Sequence, residues 1–258
     1  MDSLLIPLLN GSLSGLRKVQ GSTGSRVWQA ECLGKSFLIK FFNPRGLKDS
    51  LLLRKSRSHR SMLADGMLWE KGFSRPVPVA QGDIIKAFRI LDNFLITLWI
   101  EGALNTYTYM RTFFVPPLSA EKTREKRLFI NNFGRLIGKM HRKGIFHGDL
   151  RPGNILFRPL DGGFPEVHFI DNERTRLFKK GIPARLRRKN LVQINMIVMP
   201  PVTFTDRLRF FDAYLSENPD LIPDRRKWTR RVFRRTKARL QKKIPGVWGN
   251  KGEGIQLH

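Results

Sequence analysis

Short apolar stretches of four to eight residues, bounded by turn residues, recur over the first hundred residues, a pattern typical of β-strands. Glycine-containing or Asp-Asn turns separate the apolar stretches, so neighbouring strands are expected to pair as antiparallel hairpins. The first such turn is the glycine-rich segment Gly21–Ser25. Strands are predicted at Leu16–Val19, Val27–Leu33, Ser36–Phe42, Ile84–Leu91 and Phe94–Ile100.

Two longer stretches repeat their apolar residues at helical spacing instead. Residues 48–71 predict a helix that stops at Gly72, and Ser119 is predicted to cap a second helix that runs to about Lys143. The apolar face of this second helix comprises Phe129, Phe133, Leu136, Ile137 and Met140. His141, in its basic last turn, is expected at the surface. The chain is therefore predicted to be an α+β protein, with an antiparallel sheet first and mainly helices afterwards.

Lys40 is the candidate anion ligand of the predicted sheet. It lies in an otherwise apolar strand whose two faces both look buried. Because burial of an unpaired charge is costly, Lys40 requires an anionic partner. Nucleotide phosphates and a helix carboxylate would satisfy it, and Asp65 is a better placed carboxylate than Glu70. The alternative is an edge-strand lysine whose ammonium group extends to solvent.

The most informative stretch is His147–Leu156, which reads HGDLRPGNIL. Asp149 and Asn154 stand five positions apart in a tight loop that leads into an apolar strand. In protein-kinase-like folds such a loop supplies the catalytic base, here Asp149, and a magnesium ligand, here Asn154. Arg151 stands between them, where a cation neutralises the transferred phosphoryl group. The alternative is a polar turn between a helix and a strand. His147 is expected to form structural hydrogen bonds.

Asp171 follows the apolar strand Val167–Ile170, a position at which kinases place a second magnesium ligand. Asn172 and Glu173 come next in place of Phe-Gly, so the switchable phenylalanine of protein kinases is absent. Gly148 also replaces the arginine that would receive an activation-loop phosphate. We therefore expect no activation switch of that type.

The boundary between two lobes is predicted at Glu101–Gly102, directly after the second hairpin. This division gives residues 1–101 as the first lobe and residues 102–258 as the second. Backbone groups at Glu101 would hydrogen-bond the adenine of ATP. Gly21 and Gly24 are candidates to direct backbone N–H groups at its phosphates, although an ordinary hairpin turn explains them equally well.

The charge balance indicates a polyanionic partner. Forty-eight Lys and Arg residues against 21 Asp and Glu give a net charge of +27, which suits nucleic acid, an anionic membrane or a phosphorylated substrate. The one cysteine, Cys32, excludes an intramolecular disulfide and fits a reducing cytoplasm. The N-terminus lacks the basic region of a secretory signal, and no apolar run approaches the ~18–20 residues that span a bilayer. The sequence therefore predicts a soluble or peripheral protein.

A basic segment near the end of the chain interleaves its cations with apolar residues at helical spacing. The apolar residues are Trp228, Val232, Phe233, Leu240 and Ile244. Near an anionic leaflet each Lys or Arg contributes about 1 kcal/mol, so such a helix would hold the protein on a membrane at modest salt. The alternative is a helix of the core with a solvated charged face.

Taken together, the chain resembles the lipopolysaccharide core kinases of the Kdo/heptose kinase (WaaP-like) family over roughly residues 20–215. The matching stretches are HGDLRPGNILF, FIDNERTR, RRKNLVQIN and TDRLRFFDAYL, of which the last two are not general kinase motifs. The resemblance implies a two-lobed protein-kinase-like fold, use of ATP with Mg²⁺, and phosphorylation of a sugar hydroxyl of the lipopolysaccharide inner core. It further implies work at the cytoplasmic face of the inner membrane of a Gram-negative bacterium.

By the same resemblance, Asp149 is the base, Asn154 and Asp171 hold the metal, and Lys40 holds phosphates. The helix carboxylate does not carry over by motif, and Asp65 is the candidate for it. Two other functions remain open. One is a kinase-fold enzyme with a protein or small-molecule acceptor; the lack of an Ala-Pro-Glu anchor argues against a protein. The other is a non-catalytic basic binding protein, for instance one that binds RNA. The intact Asp, Asn and Asp argue against that, so a nucleic-acid partner is not favoured.

Overall fold

A computed structural model describes residues 17–22, 24–32, 34–43, 55–86 and 89–243. The chain divides into two compact units. Unit 1 comprises Met1–Gly102 and His168–Thr175, and unit 2 comprises Ala103–Val167 and Arg176–His258. The first division lies one residue from the predicted lobe boundary. The segment His168–Thr175, which the sequence assigned to the second lobe, belongs to unit 1, because long-range contacts and not chain order decide where it packs.

Unit 1 is built on a five-stranded antiparallel sheet of order β1-β2-β3-β5-β4. Its buried core includes Ala30, Phe37, Ile39 and Ile96. A single described helix, α1, packs against β4 and β5, and Ser56 caps it by accepting a hydrogen bond from the His59 N–H. The elements are β1 Arg17–Ser22, β2 Ser25–Cys32, β3 Lys35–Phe42, α1 Arg57–Glu70, β4 Pro78–Lys86 and β5 Arg89–Leu98.

Several element boundaries in unit 1 differ from the sequence prediction. Gly21 lies inside β1, and Ser22 pairs with Ser25, so the predicted five-residue turn is reduced to two positions. Thr23, one of these two, lies outside the described residues. Helix α1 begins at Arg57, and the predicted start at residue 48 lies outside the described residues.

Unit 2 is mainly helical, with short strands around the predicted catalytic loop. Strands β7 and β10 pair with each other, and β6, β8 and β9 form a three-stranded sheet in that order. Aromatic residues dominate its core, where Tyr109, Phe129, Phe133 and Phe157 are in mutual contact. The elements are β6 Leu104–Asn105, α2 Thr106–Phe113, α3 Ala120–Arg142, β7 Ile145–Phe146, β8 Ile155–Arg158, β9 Glu166–Phe169, β10 Arg176–Leu177, α4 Ala184–Ile194, α5 Phe204–Ser216 and α6 Arg225–Lys243. The last two residues of β9 belong to unit 1.

Helix α3 confirms its predicted ends. The Ser119 hydroxyl accepts a hydrogen bond from the Lys122 N–H at 3.1 Å, and Gly144 takes a φ of +77° just after the helix. Two glycines on α3 permit close contact with α5: a Cβ on Gly134 would lie 2.3 Å from the Phe210 carbonyl oxygen, and one on Gly138 would lie 2.7 Å from a side-chain carbon of Glu217. This close approach brings the buried polar residues of α3 and α5 into contact.

His141 contradicts the prediction of a surface position, because it is fully buried. It extends the apolar face of α3 by one turn beyond Ile137, so the helix period carries it into the core. Its two ring nitrogens lie 2.9 Å from the Tyr214 hydroxyl and 3.1 Å from Asn190 Oδ1. Burial lowers the pKa of His141 to about 4, so the imidazole is neutral at physiological pH.

The basic segment forms helix α6, as predicted, but its apolar face is largely used inside the protein. Trp228, Val232 and Leu240 are buried, and the helix packs against α4. Phe233 stays 38% exposed, and Ile244 lies outside the described residues. The solvent-facing side is cationic, with Arg226, Lys227, Arg230, Arg231, Arg234, Arg235, Lys242 and Lys243 exposed. Within the described part of the chain, no helix combines the length and apolar character that a membrane crossing requires.

Candidate active site

The catalytic loop is held by hydrogen bonds among its own residues. The Asn154 side-chain NH₂ donates to the Asp149 carbonyl at 2.9 Å, and the Arg151 N–H donates to the same oxygen at 2.8 Å. The Asp149 N–H donates to His147 Nδ1 at 3.1 Å. Pro152 begins a single 3₁₀ turn that ends at Asn154. The structure thus brings Asp149, Arg151 and Asn154 together, and His147 forms a structural hydrogen bond as predicted.

Two side chains hold the Asp149 carboxylate. Arg151 donates to both of its oxygens, with Nε 2.7 Å from Oδ1. Gln193, on α4, donates from Nε2 to Oδ1 at 3.0 Å. The Asp149 side chain is 19% exposed, so the carboxylate is oriented by protein donors and still reaches solvent. This is the arrangement that a base acting on an external hydroxyl requires.

Lys40 and Asp171 form an ion pair within unit 1, between β3 and the turn that follows β9. Lys40 also lies 5.0 Å from the centroid of the Phe42 ring. Its side chain is 17% exposed, so the face of β3 that carries it is only partly covered, and not buried as the sequence suggested. Asp171 adopts a left-handed conformation with φ 61°, which is uncommon outside glycine.

Asp65 does not pair with Lys40, contrary to expectation. Its carboxylate instead accepts a 2.6 Å hydrogen bond from Asn172 Nδ2, and the same NH₂ donates to the Phe169 carbonyl at 2.8 Å. Burial raises the pKa of Asp65 to about 7, although the hydrogen bond from Asn172 and the charges of Arg75 and Lys40 oppose the increase. Asp65 therefore anchors Asn172, the residue next to Asp171. It interacts with Lys40 only electrostatically, without a direct contact.

A second anchor joins α1 to the same turn. Arg57, the first residue of α1, donates to Glu173 at 2.6 Å, and both side chains are largely buried. Arg57 also donates to the carbonyl oxygens of Gly24 and Asn43, at 2.8 and 3.1 Å. The predicted ion pair between a helix carboxylate and Lys40 is therefore not formed. Helix α1 instead supplies an arginine, which pairs with the carboxylate two residues after Asp171.

The other predicted nucleotide contacts are backbone positions. Gly21 lies within β1, and the carbonyl of Gly24 accepts from Arg57, which ties the β1–β2 turn to α1. Glu101 is exposed in a turn after β5, and Gly102 beside it has a φ of +68°. Their roles toward ATP stay predictions.

Oxygen ligands of the kind that Mg²⁺ prefers are present in both units, with Asp171 in unit 1 and Asn154 in unit 2. Among the described residues, no group of three or more His, Cys, Asp or Glu side chains is arranged to hold a metal by itself. Mg²⁺ is usually bound by one or two carboxylates together with phosphates and water, so a large protein cage is not expected. Asp171 supplies a partly exposed carboxylate, and Asn154, whose NH₂ is used within the loop, retains its side-chain oxygen for a ligand.

Sequence reasoning missed Gln193, Asn190 and Arg57 as residues that organise the site. Asn190 and Gln193 lie within the RRKNLVQIN stretch, three positions apart on α4, so a signal was present. Their i, i+3 spacing places both on one helix face. No local pattern singles out Arg57, because its partner Glu173 lies 116 positions away.

Comparison with known proteins agrees with this geometry. No curated protein sequence matches the chain significantly. A solved structure of WaaP in complex with acyl carrier protein has the same fold, with a TM-score of 0.66 and 20% sequence identity over 90% of this chain and 91% of that one. The model of the lipopolysaccharide kinase (Kdo/WaaP) family matches residues 48–214, which include the catalytic loop, Asp171 and Gln193. The chain therefore belongs to the lipopolysaccharide kinase (Kdo/WaaP) family and is a kinase.

Proposed function

We propose that this kinase transfers the γ-phosphoryl group of ATP, with Mg²⁺, to a hydroxyl of a Kdo or heptose residue in the lipopolysaccharide inner core. The observation that carries the proposal is the Asp149 carboxylate, which the Asn154 loop, Arg151 and Gln193 hold in place while it still reaches solvent. Membership of the family supports a lipopolysaccharide substrate. Which sugar and which hydroxyl react is the part left to experiment.

In this mechanism Asp149 orients the sugar hydroxyl and accepts its proton as the oxygen attacks phosphorus. Arg151, which is 49% exposed, can turn from Asp149 toward the transferred phosphoryl group and offset its charge. Lys40 neutralises nucleotide phosphates, and its pairing with Asp171 keeps the ammonium group oriented. Asp171 and Asn154 would hold Mg²⁺, which supplies further neutralisation of phosphate charge.

The acceptor surface of unit 2 is proposed to bind anionic groups of the core. Cations of α4 and α6 are close to one another: burial together with the charges of Arg235 and Arg231 lowers the pKa of Arg188. The Nε atoms of Arg187 and Arg188 are buried without a hydrogen-bond partner among the described residues. Clustered cations repel unless anions compensate them, so this region suits phosphorylated or carboxylated sugars.

We further propose that α6 holds the protein against the cytoplasmic face of the inner membrane. Because the apolar face of α6 packs inside unit 2, the contact would be electrostatic, between the exposed arginines and anionic lipid headgroups. Such binding weakens as salt rises. The contact would bring the enzyme to a lipid-linked sugar that does not leave the membrane.

The test is transfer of label from γ-labelled ATP, with Mg²⁺, to purified Kdo-lipid A and to heptose-bearing core acceptors. Asp149→Asn keeps the size of the side chain and removes its basicity, so labelling should fall roughly 10²–10⁴-fold. Asp161→Asn is the matched control, because Asp161 is exposed in a turn of the same unit and should leave labelling unchanged. The position of the label identifies the sugar.

Two results would overturn the proposal in different ways. If the wild type binds MgATP but labels no glycolipid, the acceptor is wrong, and protein or small-molecule hydroxyls are tested next. If it neither binds nor hydrolyses MgATP, the alternative of a non-catalytic basic binding protein is supported. Steeply salt-dependent RNA binding would support that alternative further.

A further inference from the structure

Four buried polar side chains outside the catalytic loop form a continuous row that ends at Asp149. Tyr214 and His141 come from α5 and α3, and Asn190 and Gln193 come from α4. None of the four is more than 2% exposed. Three of them belong to RRKNLVQIN and TDRLRFFDAYL, the two stretches that general kinase chemistry does not explain.

Each member of the row contacts the next at hydrogen-bond distance. The Tyr214 hydroxyl lies 2.9 Å from His141 Nδ1, and His141 Nε2 lies 3.1 Å from Asn190 Oδ1. Asn190 Nδ2 lies 3.0 Å from Gln193 Oε1, and Gln193 Nε2 lies 3.0 Å from Asp149 Oδ1. Asn190 Nδ2 also donates to the His147 carbonyl at 2.5 Å, so the same amide holds the start of the catalytic loop.

The chemistry of the end group sets the direction of every bond. An ionised Asp149 only accepts, so Gln193 must present its NH₂ to it and its oxygen to Asn190. Asn190 then donates through its NH₂ and accepts through Oδ1, which requires the proton of His141 on Nε2. His141 Nδ1 is left to accept from the Tyr214 hydroxyl. Burial holds His141 neutral, with a pKa of about 4, which agrees with a single ring proton.

A cation lies close to the first member of the row. Arg187 interacts electrostatically with the Tyr214 hydroxyl and opposes the increase in its pKa that burial causes. The direction of the hydroxyl itself follows from His141, because an unprotonated Nδ1 can only accept the hydroxyl proton. All donors of the row therefore point toward Asp149, and bonds aligned in this way polarise one another.

We propose that Gln193 is a positioning residue for the Asp149 base, and that Tyr214, His141 and Asn190 fix the orientation of the Gln193 amide. The inference rests on the proposed role of Asp149. Arg151 cannot hold the Asp149 carboxylate throughout the reaction, since it is half-exposed and is needed at the phosphoryl group. Gln193 is buried, so it keeps one carboxylate oxygen fixed while Arg151 moves.

The decisive variant is Gln193→Met, which keeps the length of the side chain and removes its donor. Loss of orientation at the reacting group should lower kcat roughly 10- to 100-fold and leave the KM for ATP within about twofold. Asn132→Leu, which removes a half-buried amide elsewhere on α3, is the control and should retain wild-type kcat. A Gln193→Met enzyme that folds and keeps wild-type kcat overturns the inference.

Gln193→Glu separates hydrogen-bond donation from packing. Glutamate has the shape of glutamine and still accepts from Asn190, but it offers a carboxylate to Asp149 instead of an NH₂. The kcat of this variant should be as low as that of Gln193→Met or lower. Wild-type turnover by Gln193→Glu would show that the donor is not needed.

A spectroscopic measurement tests the direction of the row without any acceptor. In ¹⁵N NMR of the full chain at pH 7, His141 should carry its proton on Nε2, and the Gln193 NH₂ signals should shift in Asp149→Asn. A proton on Nδ1 would contradict the proposed direction. This result does not depend on glycolipid labelling, so a wrong acceptor and a wrong positioning role are distinguishable.

Discussion

Glu173 accepts a 2.6 Å hydrogen bond from Arg57, although the two residues are 116 positions apart and their side chains are only 12% and 5% exposed. Arg57 begins α1, and Glu173 lies two residues after Asp171. The pair therefore ties the start of the helix to the turn that presents the proposed metal ligand. Asn172 and Asp65 form a second tie on the same turn.

Loss of one partner of this pair should destabilise unit 1. Glu173→Gln leaves the buried guanidinium of Arg57 without its counter-ion, and breaking such a pair costs about 3–5 kcal/mol. Since Arg57 retains two carbonyl acceptors, we expect a loss of unfolding free energy near the lower end of this range. Urea denaturation measures this loss. Glu125→Gln breaks the exposed pair with Lys122 and should cost less than about 1 kcal/mol. Equal effects of the two substitutions would contradict the prediction.

Lys40→Met should impair use of ATP. It removes the cation paired with Asp171 and proposed to neutralise nucleotide phosphates. Loss of such an electrostatic contact should lower kcat/KM for ATP roughly 10²-fold or more. Steady-state kinetics with varied ATP measures this effect. Lys35→Met, at the exposed start of the same strand, is the control and should behave as the wild type. A normal kcat/KM in Lys40→Met would exclude the lysine from nucleotide binding.

Asp65 should make stability fall as pH rises through neutrality. Its folded-state pKa, about 7, lies above the ordinary value of 3.8, so between these pH values the folded protein keeps a proton that the unfolded chain has released. The stabilisation is complete below about pH 4, declines up to about pH 7 and is constant above it; the total is on the order of 4 kcal/mol.

Asp65→Asn provides the comparison for this titration, because an amide can still accept from Asn172 and does not ionise. The difference in unfolding free energy between wild type and variant should change with pH in favour of the variant between about pH 4 and pH 7. Urea denaturation across that range measures it. Parallel curves would show that Asp65 does not titrate there.

Gly134→Ala should destabilise unit 2 by forcing α3 and α5 apart. The added Cβ would lie 2.3 Å from the Phe210 carbonyl oxygen, a backbone atom that cannot move alone. Overpacking of this kind typically costs about 1–3 kcal/mol. Gly66→Ala is the control, because its Cβ meets nothing within 4 Å and alanine favours the helix by about 0.5–1 kcal/mol. Thermal unfolding should therefore move in opposite directions for the two variants.

Charge reversal on α6 should weaken membrane binding. Arg231→Glu with Arg234→Glu changes two exposed positions, each of which contributes about 1 kcal/mol near anionic lipid. Partition onto phosphatidylglycerol vesicles at low salt should fall at least roughly tenfold. Arg127→Glu with Lys139→Glu makes the same charge change on exposed positions of α3. Equal losses from both pairs would show that net charge, and not α6, drives binding.

The sequence by itself determined the local elements and the chemistry of one loop. Short apolar stretches with turn residues located the sheet, and helical spacing located α3 with its caps, because these patterns depend on neighbours within a turn or a strand. The loop from His147 to Asn154 was equally readable, since the hydrogen bonds among its own residues span at most five positions. Family membership followed from the same short stretches.

Tertiary structure decided the partners of the charged and polar residues. Lys40 pairs with Asp171 at a separation of 131 positions, and Asp65 accepts a hydrogen bond from Asn172 at a separation of 107 positions. No local pattern of the sequence predicts either pairing. His141 is buried because the glycines of α3 let α5 approach closely, which brings the Tyr214 hydroxyl within hydrogen-bond distance of the imidazole. Gln193 reaches Asp149 because α4 packs beside β7. A periodic pattern shows which face of an element is buried, but only the packing of the folded chain shows which side chains of other elements contact that face.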